Sequence, residues 1–351
     1  MKNLYSFFII ILIVSFGGIV KAQNLSETLS NLSSDAASAY VAPIVSGFGA
    51  DLNSGWVHKV VPANKFSVDI ELTFVGMGTF FNDANKTFAS SGKFRFSREQ
   101  ALNMTTNISN QTARNAVVDQ IISQDFEVGI AGPTIVGGKD QNVVVSFPGK
   151  SFSTAYGSYT VPSQKIITGV VGYLENLPIL PLAAPQLSIG TVYGTALEFR
   201  YLPTVQLNSD LGDFSYFGFG IQHNPAVWLD NPLPVDLSVG FFTQTLTVGS
   251  IFKSTAAAFG INASKTFGSS MLGVTPYASL MLENSEVTVS YSQKVDTQAG
   301  QQDVNVSFDL KGENSARFTI GASFALAILN INVDYTLAKY NTASAGLGFA
   351  F

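Results

Sequence analysis

Along much of this chain apolar and polar side chains alternate with a period of two, the signature of a strand with one apolar face. Phe66, Val68, Ile70, Leu72 and Phe74 alternate with Ser67, Asp69, Glu71 and Thr73. Leu187, Ile189, Tyr193, Leu197, Phe199 and Tyr201 alternate in the same way with Ser188, Gly190, Gly194, Glu198 and Arg200. Phe318, Ile320, Ala322, Phe324, Leu326 and Ile328 form a third stripe, which resumes after a turn near Asn330 at Ile331, Val333, Tyr335 and Leu337. In the final run, Ala343 to Phe351, the odd positions are Ala, Leu or Phe and the even ones Ser, Gly or Ala. Runs of this length are long for a soluble sheet and fit a tilted strand that crosses a bilayer.

Turns placed between these runs predict an all-β fold, a transmembrane antiparallel β-barrel of about twelve strands. The expected spans are 66–80, 87–96, 126–147, 150–173, 186–201, 211–222, 235–249, 251–266, 271–292, 303–328, 331–340 and 342–351. A count of about fourteen, with extra pairing near the N-terminus, fits the same pattern. An even count puts both ends of the barrel on the periplasmic side. It makes Gln293 to Gln302 an extracellular loop and the stretches around Pro178–Pro185 and Asn224–Pro234 periplasmic connections. Closure then requires residues 343–351 to pair with both 331–340 and 66–76.

Three stretches do not read as wall. Residues 1–22 have the parts of a secretory signal peptide: Lys2, the apolar run Phe7 to Val14, and Val20-Lys21-Ala22 before a cut near Ala22. Residues 23–63 are rich in Ser, Ala and Asn, with a helical pattern around Leu25, Leu29 and Leu32, and are expected to be a periplasmic extension or a lumen plug. Ser97 to Ser123 reads as one helix, opened by a capping box between Ser97 and Gln100 and inserted in a barrel that spans 64–351.

Composition agrees with a membrane barrel. Charged residues make up 12% of the 351, against roughly 25% in a typical globular protein. Hydrophobic residues reach 46%, yet after the leader no run approaches the roughly 20 apolar residues a membrane helix needs. Loss of the leader, with Lys2 and Lys21, moves the net charge from −5 to −7, which does not suit a nucleic-acid partner. The absence of cysteine excludes disulfides, thiolate metal sites and cysteine nucleophiles.

No catalytic set emerges, and neither an enzyme nor a cofactor is expected. His58 and His223 lack the close spacing of a metal motif and read as polar loop or lumen residues. The Gly-x-Gly pairs at 76–78, 218–220 and 346–348 lie in or beside strands rather than before helices, so they thin a barrel wall instead of holding phosphate. The remaining chemistry is the lumen. Alternation points Asp69, Glu71, Glu198, Arg200, Asp236 and Gln244 inward, where charge is costly unless wet or paired. They make either a salt-bridge network that stabilises the barrel or the lining of a substrate path.

The run Ala184-Pro185-Gln186-Leu187-Ser188-Ile189-Gly190-Thr191, with Glu198-Phe199-Arg200-Tyr201-Leu202-Pro203, resembles an uncharacterised family of outer-membrane barrels from Bacteroidota. Gly218-Phe219-Gly220-Ile221-Gln222-His223-Asn224-Pro225, followed by Trp228-Leu229 and Pro234-Val235-Asp236-Leu237, extends the likeness. Ser34-Asp35-Ala36-Ala37-Ser38-Ala39-Tyr40 is distantly similar to the N-terminal hatch of barrels that take up long-chain fatty acids. The resemblance implies the outer membrane of a Gram-negative bacterium, with membrane lipid as a partner. The barrel assembly machinery would be a second partner, engaged through the strand that ends at Phe351. The expected function is passive transport of a small, hydrophobic molecule; the alternative is a structural or adhesion barrel with a closed lumen.

Overall fold

The computed structural model describes residues 34–208, 212–230, 233–269, 271–297 and 300–351. The expected leader and the helical pattern at Leu25, Leu29 and Leu32 lie outside the described residues. The described residues open on α1 (Ser34–Asn53), followed by β1 (Phe66–Phe80) and β2 (Thr87–Phe94). Next come α2 (Arg98–Met104), α3 (Gln111–Ile122), β3 (Phe126–Pro133), β4 (Val144–Phe147), β5 (Lys150–Thr154), β6 (Gly157–Val161) and β7 (Gln164–Ile167). Then follow β8 (Ile179–Val192), β9 (Thr195–Asn208), β10 (Gly212–His223), β11 (Asp236–Val248), β12 (Phe252–Ser264) and the short β13 (Phe267–Gly268). The last are β14 (Leu272–Thr297), β15 (Gly300–Lys311), β16 (Ala316–Leu326), β17 (Leu329–Leu337) and β18 (Thr342–Ala350). Two units result: residues 41–82 with 177–351, and residues 34–40 with 83–176.

The first unit is a closed antiparallel barrel. Around the ring the order is β1, β8, β9, β10, β11, β12, β14, β16, β17, β18 and back to β1, with the β12–β14 pairing closing the circle. The expected closure is found: Leu347 lies opposite both Phe74 and Ile331. Alternation decides which face is which. On β18, Ala345, Leu347 and Phe349 are exposed on the outside while Ser344, Gly346 and Gly348 are buried. On β1, Phe66 and Val68 stand outward, 74% and 69% exposed, while Thr73, Val75, Met77 and Thr79 are buried. An apolar belt of this kind (Phe217, Phe241, Phe259, Leu280, Ile320 and Val333 belong to it) is a surface that water does not suit.

Ten strands close the ring, not about twelve. The expected strands 87–96, 126–147 and 150–173 pair among themselves, in a sheet ordered β2-β3-β4-β7 and a β5–β6 hairpin. Strands such as Val144–Phe147 and Gln164–Ile167, 4 residues each, are too short to cross a bilayer, which takes about 9–11. Conversely, the single expected strand 186–201 is a hairpin of β8 and β9, turning at Tyr193 and Gly194, both with positive φ. The stretch expected as a Pro178–Pro185 connection is the first half of β8. There β8 pairs with β1, whereas its pairing with β9 begins at Gln186, so Pro181 and Pro185, which have no N–H, sit where one edge is unpaired. The expected strand 303–328 is interrupted at 312–315, and both halves, β15 and β16, run along β14.

In the second unit the expected helix 97–123 is two helices. The capping box is present: the Gln100 amide N–H donates to Ser97 Oγ at 3.2 Å, and the Ser97 N–H donates to Gln100 Oε1 at 2.9 Å. The break follows from side chains that compete for backbone groups. Thr105 Oγ1 donates to the Ala101 carbonyl at 2.8 Å, and Asn110 caps the second helix by accepting from the Ala113 N–H at 3.0 Å. Ala101, Val117, Val118 and Ile121 pack with Phe126, Phe152 and Val161 into a core of its own.

Candidate functional site

Residues 41–62 run through the first unit against inward-facing side chains. Near the end of the barrel where β1 finishes, Thr79 Oγ1 donates to the Gly47 carbonyl at 3.1 Å and to Asp51 Oδ1 at 2.7 Å. Phe48 meets Phe252 there, with ring centroids 6.0 Å apart. Further along, Ser54 Oγ and Thr342 Oγ1 lie 2.7 Å apart. At the opposite end the Val60 N–H donates to Ser264 Oγ at 3.1 Å, and Asn224 Nδ2 donates to the Val61 carbonyl at 2.8 Å. The segment therefore passes from the end where β1 leaves the ring to the end where β1 begins.

Trp56 lies in the second half of this run and is buried. Its Nε1 donates to Gln244 Oε1 at 2.8 Å and to the Leu52 carbonyl at 3.0 Å, and its ring lies 5.2 Å from that of Phe242. Gly218 makes room: a Cβ there would come within 2.8 Å of the indole. Arg200, 0% exposed, stacks over the same indole at 4.1 Å from the ring centroid. Its Nε donates to Gln186 Oε1 at 2.9 Å and its Nη1 to the Ser54 carbonyl at 3.0 Å. Gln186 Nε2 in turn donates to the Trp56 carbonyl at 3.0 Å. The Arg200 Nε and Nη1 thus have acceptors and its plane has a ring face, while Nη2 is buried with no hydrogen-bond partner among the described residues.

A second polar group lies across the interior. Arg317 and Glu283 face each other at 3.7 Å, both nearly inaccessible, and Arg317 Nη1 lies 3.4 Å from Ser54 Oγ. Tyr277 donates to Asp334 Oδ2 at 2.9 Å, and Ser344 does so at 2.6 Å. The segment 41–62 thus meets both networks through Ser54.

A cavity of about 60 Å³ opens beside the last part of the segment, between it and β1, β8, β9 and β10. Three of the six candidate residues, Asp69, Glu71 and Glu198, line it. His58 Nε2 lies 3.1 Å from Glu71 Oε1, and Gln222 Nε2 donates to Glu198 Oε1. Arg200 and Gln244 are instead buried against Trp56, and Asp236 is half-buried at the start of β11. His223 bonds Thr195, its Nδ1 lying 3.0 Å from the hydroxyl. Among the described residues no group of three His, Cys, Asp or Glu side chains is disposed to hold a metal ion.

Sequence reasoning missed Trp56, Gln186, Gln222, Glu283, Arg317 and Asp334 as interior groups. Gln186, Gln222 and Asp334 carry the same alternation that marked Glu198 and Arg200. Trp56 has no such signal, because it lies on a segment without strand periodicity.

The profile of a family described as of unknown function, DUF6588, matches residues 1–351. No curated protein matches the sequence. Among solved structures, the N-terminal β-barrel domain of Pseudomonas aeruginosa OprF is 15% identical, with 45% of this chain and 94% of that one covered and a TM-score of 0.20. A loop-deleted form of the Vibrio cholerae outer-membrane protein OmpT is 10% identical over 81% of this chain and 99% of that one, with a TM-score of 0.24. The β domain of the Bordetella autotransporter BrkA is 11% identical over 81% and 99%, with a TM-score of 0.21. TM-scores this low do not establish a shared fold.

Proposed function

We propose that the chain, which belongs to that family of unknown function, DUF6588, is an outer-membrane barrel closed by its own residues 41–62. Export depends on the leader at 1–22, cut near Ala22, and membrane lipid covers the apolar belt. The observation that carries this reading is Trp56, buried between Arg200, Gln244, Phe242 and Gly218, where an open lumen would be. Of the expected roles, the structural or adhesion barrel is therefore the better supported. The test is the full chain in liposomes. Flux of salt, of a sugar and of a small apolar dye is expected to match that of protein-free vesicles, and flux above that baseline would sink the closed-lumen reading.

One observation favours the other expected role, passive transport of a small hydrophobic molecule. Between β8 and β9 the ladder covers only Gln186–Val192 on β8, leaving residues 179–185 unpaired on that edge. A seam of that kind is a way between interior and bilayer for an apolar solute. Uptake of the apolar dye alone, abolished by a disulfide across the seam, would move the assignment to transport.

A further inference from the structure

We infer that the free edge of β15 is a self-recognition surface, on which a second copy of this chain in a facing membrane lays its own β15 antiparallel. The inference rests on the adhesion reading above. β14 outruns its neighbours in the ring. Its ladder with β16 ends at Leu282 and its ladder with β12 at Val289, while β15 accompanies it from Glu286 to Thr297. Among the described strands β15 pairs with β14 alone, so its other edge has no strand beside it. The Gly312 N–H donates to the Ser285 carbonyl at 3.0 Å. Carried along an antiparallel ladder without a register shift, that bond turns the even-numbered backbone groups of β15 toward β14. The backbone groups of Asp303, Asn305, Ser307, Asp309 and Lys311 then point to the free edge. An edge of this length, with no proline, bulge or covering strand, is a ready site for another strand to pair.

Charge selects the occupant and the register. Asp303, Asn305, Ser307, Asp309 and Lys311 are exposed on one face, where Thr288 Oγ1 donates to Asp309 Oδ1 at 2.7 Å and the Ser290 and Ser307 hydroxyls lie 3.0 Å apart. On the other face Val306, Phe308 and Leu310 are half-buried, and Phe308 meets Tyr291 with ring centroids 6.3 Å apart. Two copies keep polar against polar and apolar against apolar only in registers that set odd positions opposite odd ones. Pairing Ser307 with Ser307 brings Asp303 opposite Lys311 on both sides of the two-fold axis, with Val306 opposite Phe308. Centring on Val306 instead sets Asp303 opposite Asp309, and centring on Phe308 matches no charges. Opposite charges across a strand pair attract and like charges repel, so the edge fits its own copy in one register. Within each hairpin Lys311 also stands opposite Glu286, so charges alternate along the row. The two-fold axis of an antiparallel pair is perpendicular to its strands, whereas barrel strands tilt only about 35–45° from the barrel axis. β15 continues the line of β16 along β14, so copies side by side in one membrane do not share such an axis and copies in facing membranes do.

The full chain is reconstituted in two populations of phosphatidylcholine vesicles carrying different dyes, and tethering between them is read by fluorescence cross-correlation. Parent vesicles are expected to tether to one another and not to protein-free vesicles. Asp303→Lys alone and Lys311→Asp alone each set like charges opposite one another, and each is expected to lower tethering about tenfold. Mixing Asp303→Lys vesicles with Lys311→Asp vesicles restores opposite charges at both places, and tethering should return to the parent level. The chain has no cysteine, so Ser307→Cys gives a second reading. Under mild oxidation it should cross-link between vesicles, because position 307 meets its own copy, while Asn305→Cys, which meets position 309, should not. Folding of every variant is read from heat-dependent gel migration, and if the charge variants do not fold, the cysteine pair decides. Absence of parent tethering, equal tethering to protein-free vesicles, or a folded charge variant that tethers like the parent overturns the inference. So does a mixture that stays apart, a missing link at 307, or a link that forms as readily at 305 or within single vesicles. Solute flux is measured separately, so tethering that fails beside a closed lumen is distinguishable from a failure of the closed-lumen reading.

Discussion

The guanidinium of Arg200 lies 4.1 Å from the centre of the Trp56 indole, the one on β9 and the other on the segment 41–62. The contact joins two partners that each have further bonds, Arg200 to Gln186 and Trp56 to Gln244. Trp56→Ala removes the ring, leaves Tyr216 as the donor to the Gln244 oxygen and opens a void. We expect a loss of about 3–5 kcal/mol in urea unfolding and measurable solute flux in liposomes. Trp56→Phe keeps a ring face for Arg200 and is expected to lose less than half as much. Native-like stability in Trp56→Ala would mean that the segment does not brace the wall.

The β8–β9 turn is held by an unusual residue. Tyr193 has φ +47° and Gly194 φ +66°, and a non-glycine residue with positive φ costs about 1–2 kcal/mol. Tyr193 recovers part of this by stacking on Trp228, with centroids 5.4 Å apart and planes 13° apart. Gly194→Ala would place a Cβ 2.7 Å from the Asn224 carbonyl oxygen, so we expect a clear drop in the urea midpoint. Tyr193→Asn, easier in that conformation but without the stack, is expected to stay within about 1 kcal/mol of the parent. A midpoint for Gly194→Ala equal to the parent's would show that the turn adopts another geometry.

That turn also shows why the strand count was hard to read from sequence. A two-residue turn reverses which parity faces outward, as between Leu326 and Leu329, where an even-numbered stripe becomes an odd-numbered one and betrays the bend. At Tyr193-Gly194 the register shift between Gly190 and Val192 reverses it again, so Leu187, Ile189, Leu197 and Phe199 read as one strand. Strands β10, β11, β12, β17 and β18 were legible because each keeps its alternation, whereas 303–328 read as one strand although β15 and β16 are separate. Residues 41–62 were not legible, because the small residues there answer to close contacts, as at Gly47, Gly49 and Gly55, and not to an amphipathic period. Of the interior, alternation could point to Glu198 and Arg200, but no pattern in one sequence says that Arg200 meets an indole about 140 residues away.

The final strand gives a prediction that separates assembly from stability. Phe351 is 76% exposed, and what ties it down is its backbone N–H, which donates to the Ile70 carbonyl at 2.8 Å. Phe351→Ala keeps that bond and removes only an outward ring. The purified variant should refold into vesicles like the parent, while the amount assembled in cells should fall if the assembly machinery reads the aromatic that follows β18. Equal assembly in cells would remove Phe351 from that role. Deletion of Phe349 to Phe351 should fail in both assays, since it also strips the pairings of Phe349 with Leu72 and Leu329.

Connection lengths fix the expected orientation. At the end where β1 begins, the joins are 193–194, 224–235, 265–271 and 327–328. At the other end the chain leaves after Phe80 and returns at Ile179, and β14 with β15 extends past the ring. Bacterial barrels keep short turns on the periplasmic side and longer connections outside, so residues 83–176 should be at the cell surface. The chain has no cysteine, which makes labelling clean. Tyr156→Cys, in the exposed β5–β6 turn, should react with a membrane-impermeant maleimide on intact cells. Ile328→Cys, in the β16–β17 turn, should react only after the cells are broken. The reverse pattern would invert the barrel and place the inserted residues in the periplasm. Labelling of neither on intact cells, with both reactive after lysis, would remove the chain from the cell surface and sink the adhesion role with it.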